Sequence, residues 1–179
     1  SGGGAALVPM GRERSAIFQC RPEDRTAWPA RGDHIVLPAA GGPFRSRDPE
    51  TLAEVTPDQA CAHPNWVMGR KISIDSASLM NKGLEVIEAR WLFDVQAQDI
   101  DVVVHPQSIV HSCVQFGDGS IKAQLGLPDM KLPIQYALGY PQRLQNDFPR
   151  FSFAAFPNLT FEQPDKETFR NLQLAYDAL

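Results

Sequence analysis

The sequence predicts an α+β domain, with one largely antiparallel sheet covered by helices. Three observations lead to that class. Short β-branched runs cluster between Asp101 and Leu125, and Gly117-Asp118-Gly119-Ser120 joins two of them in the manner of a hairpin. A long segment of helical period, Met80 to Phe93, precedes these runs, and another, Glu167 to Leu179, follows them. No GxGxxG follows a first strand, so the chain carries no dinucleotide fold of its own, and no internal repeat, zinc-ligand spacing or heptad run occurs.

Residues 1–8 read as a linker or cloning remnant, and residues 9–179 as a single domain. The segment up to about residue 34 has little period and is expected at the surface. It includes a helical turn at Ser15 to Cys20 and a charged, Pro-containing connection from Arg21 to Asp33. His34 to Pro38 is a compact strand, and Ala39-Ala40-Gly41-Gly42-Pro43-Phe44 a turn whose glycines permit close approach. Thr56-Pro57 caps a short helix over Asp58 to Cys61. His63-Pro64-Asn65-Trp66 interrupts it; residues 63–68 suit a lid loop or, equally, a packed connection with Trp66 plugging the core.

Lys71-Ile72-Ser73-Ile74 alternates as a short strand does, and Asp75 to Ser78 leads into the long helix, with Ser76 or Ser78 as its cap. Met80, Leu84, Ile87 and Trp91 recur at helical spacing and are expected to form its buried stripe. Asp101 to Val104 reads as a strand buried on both faces. Ile109 to Phe116 and Ile121 to Leu125 form the hairpin, with His111 on a sheet face beside Cys113 rather than as an obvious ligand. Pro133 opens a helix over Ile134 to Leu138 that Tyr140-Pro141 ends. Asn146 to Pro164 reads as irregular chain. Phe169, Leu172, Tyr176 and Leu179 share one face of a last helix, and a sequence that stops on an apolar stripe suggests an excised domain.

A chain of 179 residues with 43% hydrophobic and 21% charged residues is long enough for one core. Its formal net charge of -4 argues against non-specific nucleic-acid binding. Cys20, Cys61 and Cys113 form no CxxC pair, and the opening SGGGAA lacks the basic and apolar regions of a signal peptide. No apolar run reaches the length of a membrane span. The expectation is a cytoplasmic protein with reduced thiols.

The long helix carries the chemistry. Asn81, Lys82, Glu85 and Glu88 fall on the side away from its predicted apolar stripe, each within about one turn of the next. The face is either a solvated surface with a Lys82/Glu85 pair, or the wall of a site in which an ammonium holds an anion and a carboxylate a cation.

From His63 to Phe93, HPNWVMGRKISIDSASLMNKGLEVIEARWLF resembles the central catalytic segment of the 1-deoxy-D-xylulose 5-phosphate reductoisomerases. The resemblance continues through DVVVHPQSIVHSCVQFGDGSIKAQLGLPDMKLPIQYAL, residues 101–138. It implies an enzyme that rearranges 1-deoxy-D-xylulose 5-phosphate and reduces it with NADPH to 2-C-methyl-D-erythritol 4-phosphate, with Mg or Mn as cofactor. It also implies a homodimer formed through the sheet. The NADPH-binding and helical domains that flank this region in the family are expected to be absent from this chain. The isolated chain is therefore expected to be inactive, or to serve as a sugar-phosphate or phosphonate binding module or a dimerisation scaffold.

The resemblance also implies site roles. Glu85 matches a metal ligand on the central helix, and Lys82 and Glu85 the catalytic pair. Ser76, Asn81, Lys82 and His63 match substrate- or phosphate-binding positions, Trp66 the ring that covers ligand, and Met68 its neighbour. Glu88 matches a supporting carboxylate. Glu13 matches the Glu of a Pro-Val-Asp-Ser-Glu-His metal motif, but Gly11 stands where the motif has Asp, Arg12 where it has Ser and Arg14 where it has His. Ala40 replaces a Ser at the phosphate end. Losing a carboxylate and gaining two cations weakens metal binding on Coulombic grounds.

Overall fold

The computed structural model describes residues 7–22, 24, 28–64 and 67–179. Helix α1 (Arg12–Cys20) precedes strand β1 (His34–Ala39), and a 3-10 turn (Pro49–Glu54) leads to α2 (Pro57–Cys61), α3 (Arg70–Ala77) and α4 (Met80–Phe93). Strands β2 (Ile100–Val104), β3 (Val110–Gln115) and β4 (Ile121–Leu125) follow, then α5 (Lys131–Gly139) and α6 (Arg170–Asp177). The sheet order is β2-β1-β3-β4. β2 runs parallel to β1, while β1/β3 and β3/β4 are antiparallel, so the expected α+β class and largely antiparallel sheet are found.

Alternation along the strands selects the core. Ile35 pairs with Ile100 and with Val114, Leu37 pairs with Val102, and all are buried, whereas Val36 and Cys113 on the opposite face are half-exposed and Asp101 is exposed. β2 is an edge strand buried on one face only, which corrects the expectation of two. A parallel edge strand meets a neighbour on one side, so its valines alone do not reveal its burial. The hairpin, β1, α5 and the irregular segment before α6 lie where the sequence placed them. α2 carries a full capping box between Thr56 and Gln59.

Four other expectations change. First, α1 is core rather than surface: Ser15, Ala16, Ile17, Phe18 and Cys20 are buried, because the helix lies along β3 and β4. Second, the Lys71 to Ile74 segment is helix, not strand. Ile72 and Ile74 are exposed, the Ser73 hydroxyl donates to the Gly69 carbonyl, and Lys71 pairs with Asp75 one turn on at 2.6 Å. A four-residue alternation is too short to outweigh these local bonds.

Third, the buried face of α4 is turned away from the predicted stripe. Lys82, Gly83, Glu85, Val86, Ala89 and Phe93 point inward, while Trp91 is 72% exposed and Met80, Leu84 and Ile87 are half-buried. The reason is α6, which packs on α4 so closely that a Cβ at Gly83 would lie 2.9 Å from the Ala175 Cβ and 3.1 Å from the Asn171 carbonyl oxygen. Fourth, neither Ser76 nor Ser78 caps α4. Leu79, at φ 57°, begins it, and the Ser78 hydroxyl turns back to the Ile74 carbonyl. In α6, Leu172 is fully buried and Phe169 and Tyr176 half-buried, but Leu179 is 40% exposed.

Two histidines bind the chain at the sheet. The His105 ring takes the backbone N–H groups of Ile109 and Val110 on Nε2 and donates from Nδ1 to the Thr160 carbonyl, which fixes a neutral tautomer. His111 is 2% exposed and meets Gln124 Oε1 at 2.7 Å through Nδ1. Burial, and next the Arg12 charge, push the His111 ring down to about 4 from an ordinary 6.5. His105 is lowered by burial as well.

Replacing Gly83 by Leu should destabilise the domain by about 2–4 kcal/mol, since backbone on α6 lies in the new side chain's path. Urea unfolding measures this, and a loss below 0.5 kcal/mol would show that α6 does not need this contact. The buried neutral histidines set a pH dependence: stability is complete above pH 6.5 and falls as pH drops toward the folded value of about 4. His111 alone accounts for up to about 3 kcal/mol of that loss. Unfolding curves at intervals from pH 7 to pH 4 should show the decline, with a shallower one in His111→Gln.

Candidate functional site

The site lies where the start of α1 meets the first turns of α4. Gly11, in an extended conformation at φ -62°, is the N-cap of α1, so Arg12, Glu13 and Arg14 occupy its first turn. On α4, Asn81, Lys82, Glu85 and Glu88 follow one another at helical spacing. Gly42, at φ 69°, holds the turn after β1 against the end of α3, where a Cβ would lie 2.8 Å from the Ser76 carbonyl oxygen. Only a glycine gives both that backbone angle and that clearance. The turn after β1 is thereby held against the end of α3.

Lys82 and Glu85 are 4% and 6% exposed, so this pair is not a solvated surface pair. The Lys82 ammonium donates to Glu85 Oε2 at 2.6 Å and stands 4.0 Å from Glu13 Oε1. The Asn81 amide donates to Glu85 Oε1 at 2.9 Å, so both oxygens of Glu85 are occupied. Arg12 grips Glu13 Oε1 through Nε at 3.2 Å and Nη2 at 2.7 Å. Arg14 pairs with Glu88 across the two helices.

The charges of the two inner carboxyls diverge. Burial pushes Glu13 up, but the Lys82 ammonium and then the Arg12 guanidinium outweigh it and hold the carboxyl down at about 2, against an ordinary 4.5. Glu85 is pushed upward by burial and by the Glu13 charge, with Lys82 opposing. His63 is lowered by burial and by the Arg12 charge, which sets its ring within electrostatic reach of α1. Met68 is half-buried in the segment leading to α3, and Ser76 half-buried on the last turn of that helix. Trp66 lies outside the described residues.

The structure therefore brings Glu13, Asn81, Lys82 and Glu85 into one cluster, with Glu88 at its rim. It adds two residues that the sequence reading gave only as departures, Arg12 and Arg14. Their signal was present in the sequence as two cations flanking Glu13. What the sequence could not give was the direction of each side chain.

A divalent cation needs several free oxygen donors at about 2.0–2.6 Å. The residues here do not fit that need. Among the described residues, no group of three or more His, Cys, Asp or Glu side chains is placed to hold a metal. Glu13 and Glu85 already share the Lys82 ammonium, Arg12 takes a further share of Glu13, and Gly11 offers no side chain.

Comparison with known proteins agrees with the sequence-level resemblance. Residues 7–93 match a family model described as the 1-deoxy-D-xylulose 5-phosphate reductoisomerase C-terminal domain, and residues 125–179 one described as the DXP reductoisomerase C-terminal domain. The 1-deoxy-D-xylulose 5-phosphate reductoisomerase of Ralstonia nicotianae is 58% identical over 176 residues, which are 98% of this chain and 45% of that protein. The enzyme of Phocaeicola vulgatus is 57% identical over 173 residues, covering 97% of this chain and 44% of its own length.

Among solved structures, a DOX-P reductoisomerase in complex with NADPH, fosmidomycin and magnesium superposes with a TM-score of 0.91 at 44% identity, over 98% of this chain and 45% of that one. The enzyme from Zymomonas mobilis in complex with NADPH gives 0.87 at 43% identity, over 97% of this chain and 44% of its own. The chain thus spans a little under half the length of the relatives it matches. From the two family models, the identity to curated relatives and the superposed fold, the chain belongs to the 1-deoxy-D-xylulose 5-phosphate reductoisomerase family.

Proposed function

We propose that this chain forms the substrate-holding half of an NADPH-dependent reductoisomerase that converts 1-deoxy-D-xylulose 5-phosphate to 2-C-methyl-D-erythritol 4-phosphate. The buried Lys82 carries this reading. An ammonium has three N–H donors, and Glu85 takes only the shortest bond from it. In a dry cluster its remaining donors interact with a phosphate group far more strongly than on an exposed surface. Ser76 and Asn81, on either side of the α3–α4 corner, supply a hydroxyl and an amide of the right type for the same anion. His63 supports the group from the loop that precedes α3, and Met68 follows it in the same segment.

Glu85 has a second role in this reading. Asn81 and Lys82 hold its two oxygens, so the carboxyl is oriented before any ligand arrives. Lys82 and Glu85 together form the polar wall against which the reacting oxygens of the sugar lie, and Glu88 keeps Arg14 at the edge. NADPH is delivered by parts of the enzyme outside this chain.

The chain also belongs to a homodimer built through the sheet. Support comes from β4, an edge strand whose Ile121 is 58% exposed, and from the half-open sheet face around Val36, Asp101 and Cys113. No helix among the described residues is long and apolar enough to cross a membrane, and a cytoplasmic setting suits the three free thiols.

Two measurements follow. Calorimetric titration with fosmidomycin should give saturable binding that Lys82→Gln weakens at least 100-fold. Because that variant strands a buried carboxylate at a cost of about 3–5 kcal/mol, the Lys82→Gln/Glu85→Gln pair serves as the stability control. It should recover folding without recovering affinity, and restored affinity would refute the assignment. Sedimentation equilibrium should report a dimer that Ile121→Lys shifts toward monomer; an unchanged monomer would exclude the sheet interface.

A further inference from the structure

We infer that Arg12, Arg14 and Lys82 together take the place of a bound divalent cation in this chain, so that the centre meets an anionic ligand with organic cations alone. The inference rests on the proposed ligand-binding role of the site, but its geometric basis is separate. Two carboxylates from different helices, Glu13 on α1 and Glu85 on α4, converge as a shared cation requires, and the point between them is filled. Lys82 Nζ lies 2.6 Å from one and 4.0 Å from the other.

The position that would supply a third donor is filled in the same way. A Cβ built on Gly11 would lie 2.7 Å from the Arg14 guanidinium carbon and 2.8 Å from its Nε. That guanidinium therefore occupies the space of a residue-11 side chain, and it is held there by Glu88. Arg12 completes the replacement by binding Glu13 Oε1 with two N–H groups. Cations and carboxylates balance: Arg12, Arg14 and Lys82 against Glu13, Glu85 and Glu88. A metal ion entering this cluster meets three fixed positive charges and must break at least two charge-assisted bonds.

The replacement also reassigns chemistry. Guanidinium and ammonium groups donate hydrogen bonds to phosphate or enolate-type oxygens, but they accept no electron pairs. The site therefore binds and orients an anion without supplying Lewis-acid polarisation from these residues.

The test uses Mn(II) alone, so that it reads the cation site whether or not a sugar phosphate binds. The parent protein should show no saturable heat with MnCl2 up to millimolar concentration. Gly11→Asp/Arg12→Ser/Arg14→Ala clears the guanidinium groups and adds a carboxylate at an extended N-cap that accepts Asp well. This variant should bind Mn(II) one to one, at least 100-fold more tightly, and lose it again when Glu85→Gln is added. Circular dichroism confirms its fold, and Gly11→Asp/Arg14→Ala is the fallback. Tight binding by the parent, lost in Glu85→Gln, overturns the inference; so does a folded triple variant that gains nothing. Fosmidomycin titration in excess EDTA is read separately. Binding retained under EDTA agrees with the inference, and loss of binding only on chelation opposes it. Absence of fosmidomycin binding with and without metal counts against the ligand assignment, while the Mn(II) arms still decide the cation site.

Discussion

The buried ion pair between Lys82 and Glu85 sets the terms for everything around it. Taking an ammonium and a carboxylate out of water costs several kcal/mol per ion, and their mutual attraction offsets this only if the remaining donors and acceptors are also met. Here Asn81 meets the second carboxylate oxygen, and Glu13 faces the ammonium from another helix. The demand for those partners fixes α1 against α4. It also explains why a helix with charged residues in its first turns is buried at all: the polar groups satisfy one another, and Val86, Ala89 and Phe93 bury the apolar remainder of the same face.

The strands, the hairpin and the capped α2 were legible because each follows from local chemistry: β-branched runs, a Gly-Asp-Gly-Ser turn, and Thr-Pro before a helix. The facing of α4 was not. Periodicity reports that a helix has two unlike sides, and the rule that apolar means buried then chose Met80, Leu84, Ile87 and Trp91. Gly83 and Ala89 carried the opposite message, since small residues mark where another backbone comes close, but α6 lies nearly a hundred residues away in sequence. The Arg14 and Glu88 partners are likewise far apart, 74 residues from one another. Lys71 to Ile74 failed for a different reason: a Gly-initiated turn and an i,i+4 ion pair favoured helix over a four-residue alternation.

The site residues themselves came largely from resemblance, and the structure adds what resemblance lacks. A matched Glu, Asn or Lys gives a residue type at a position, whereas protonation and partners depend on what surrounds it. Glu13 illustrates this. It matches a metal-ligand position, yet in this chain it is a strongly ionised group gripped by Arg12 and faced by Lys82. The identity of residues 11, 12 and 14 changes the meaning of residue 13 without touching it.

Gly83 and Lys82 are adjacent in sequence, and on α4 one serves the contact with α6 while the other serves the ion cluster. Consecutive residues on a helix are turned by about 100° from each other, so α4 works as a lever clamped on one side and read out on the other. A change in α6 that displaced the Ala175 contact would move Lys82 and Glu85 together against Glu13 on α1. Sequence drift in the last helix is thus constrained by electrostatics it never contacts.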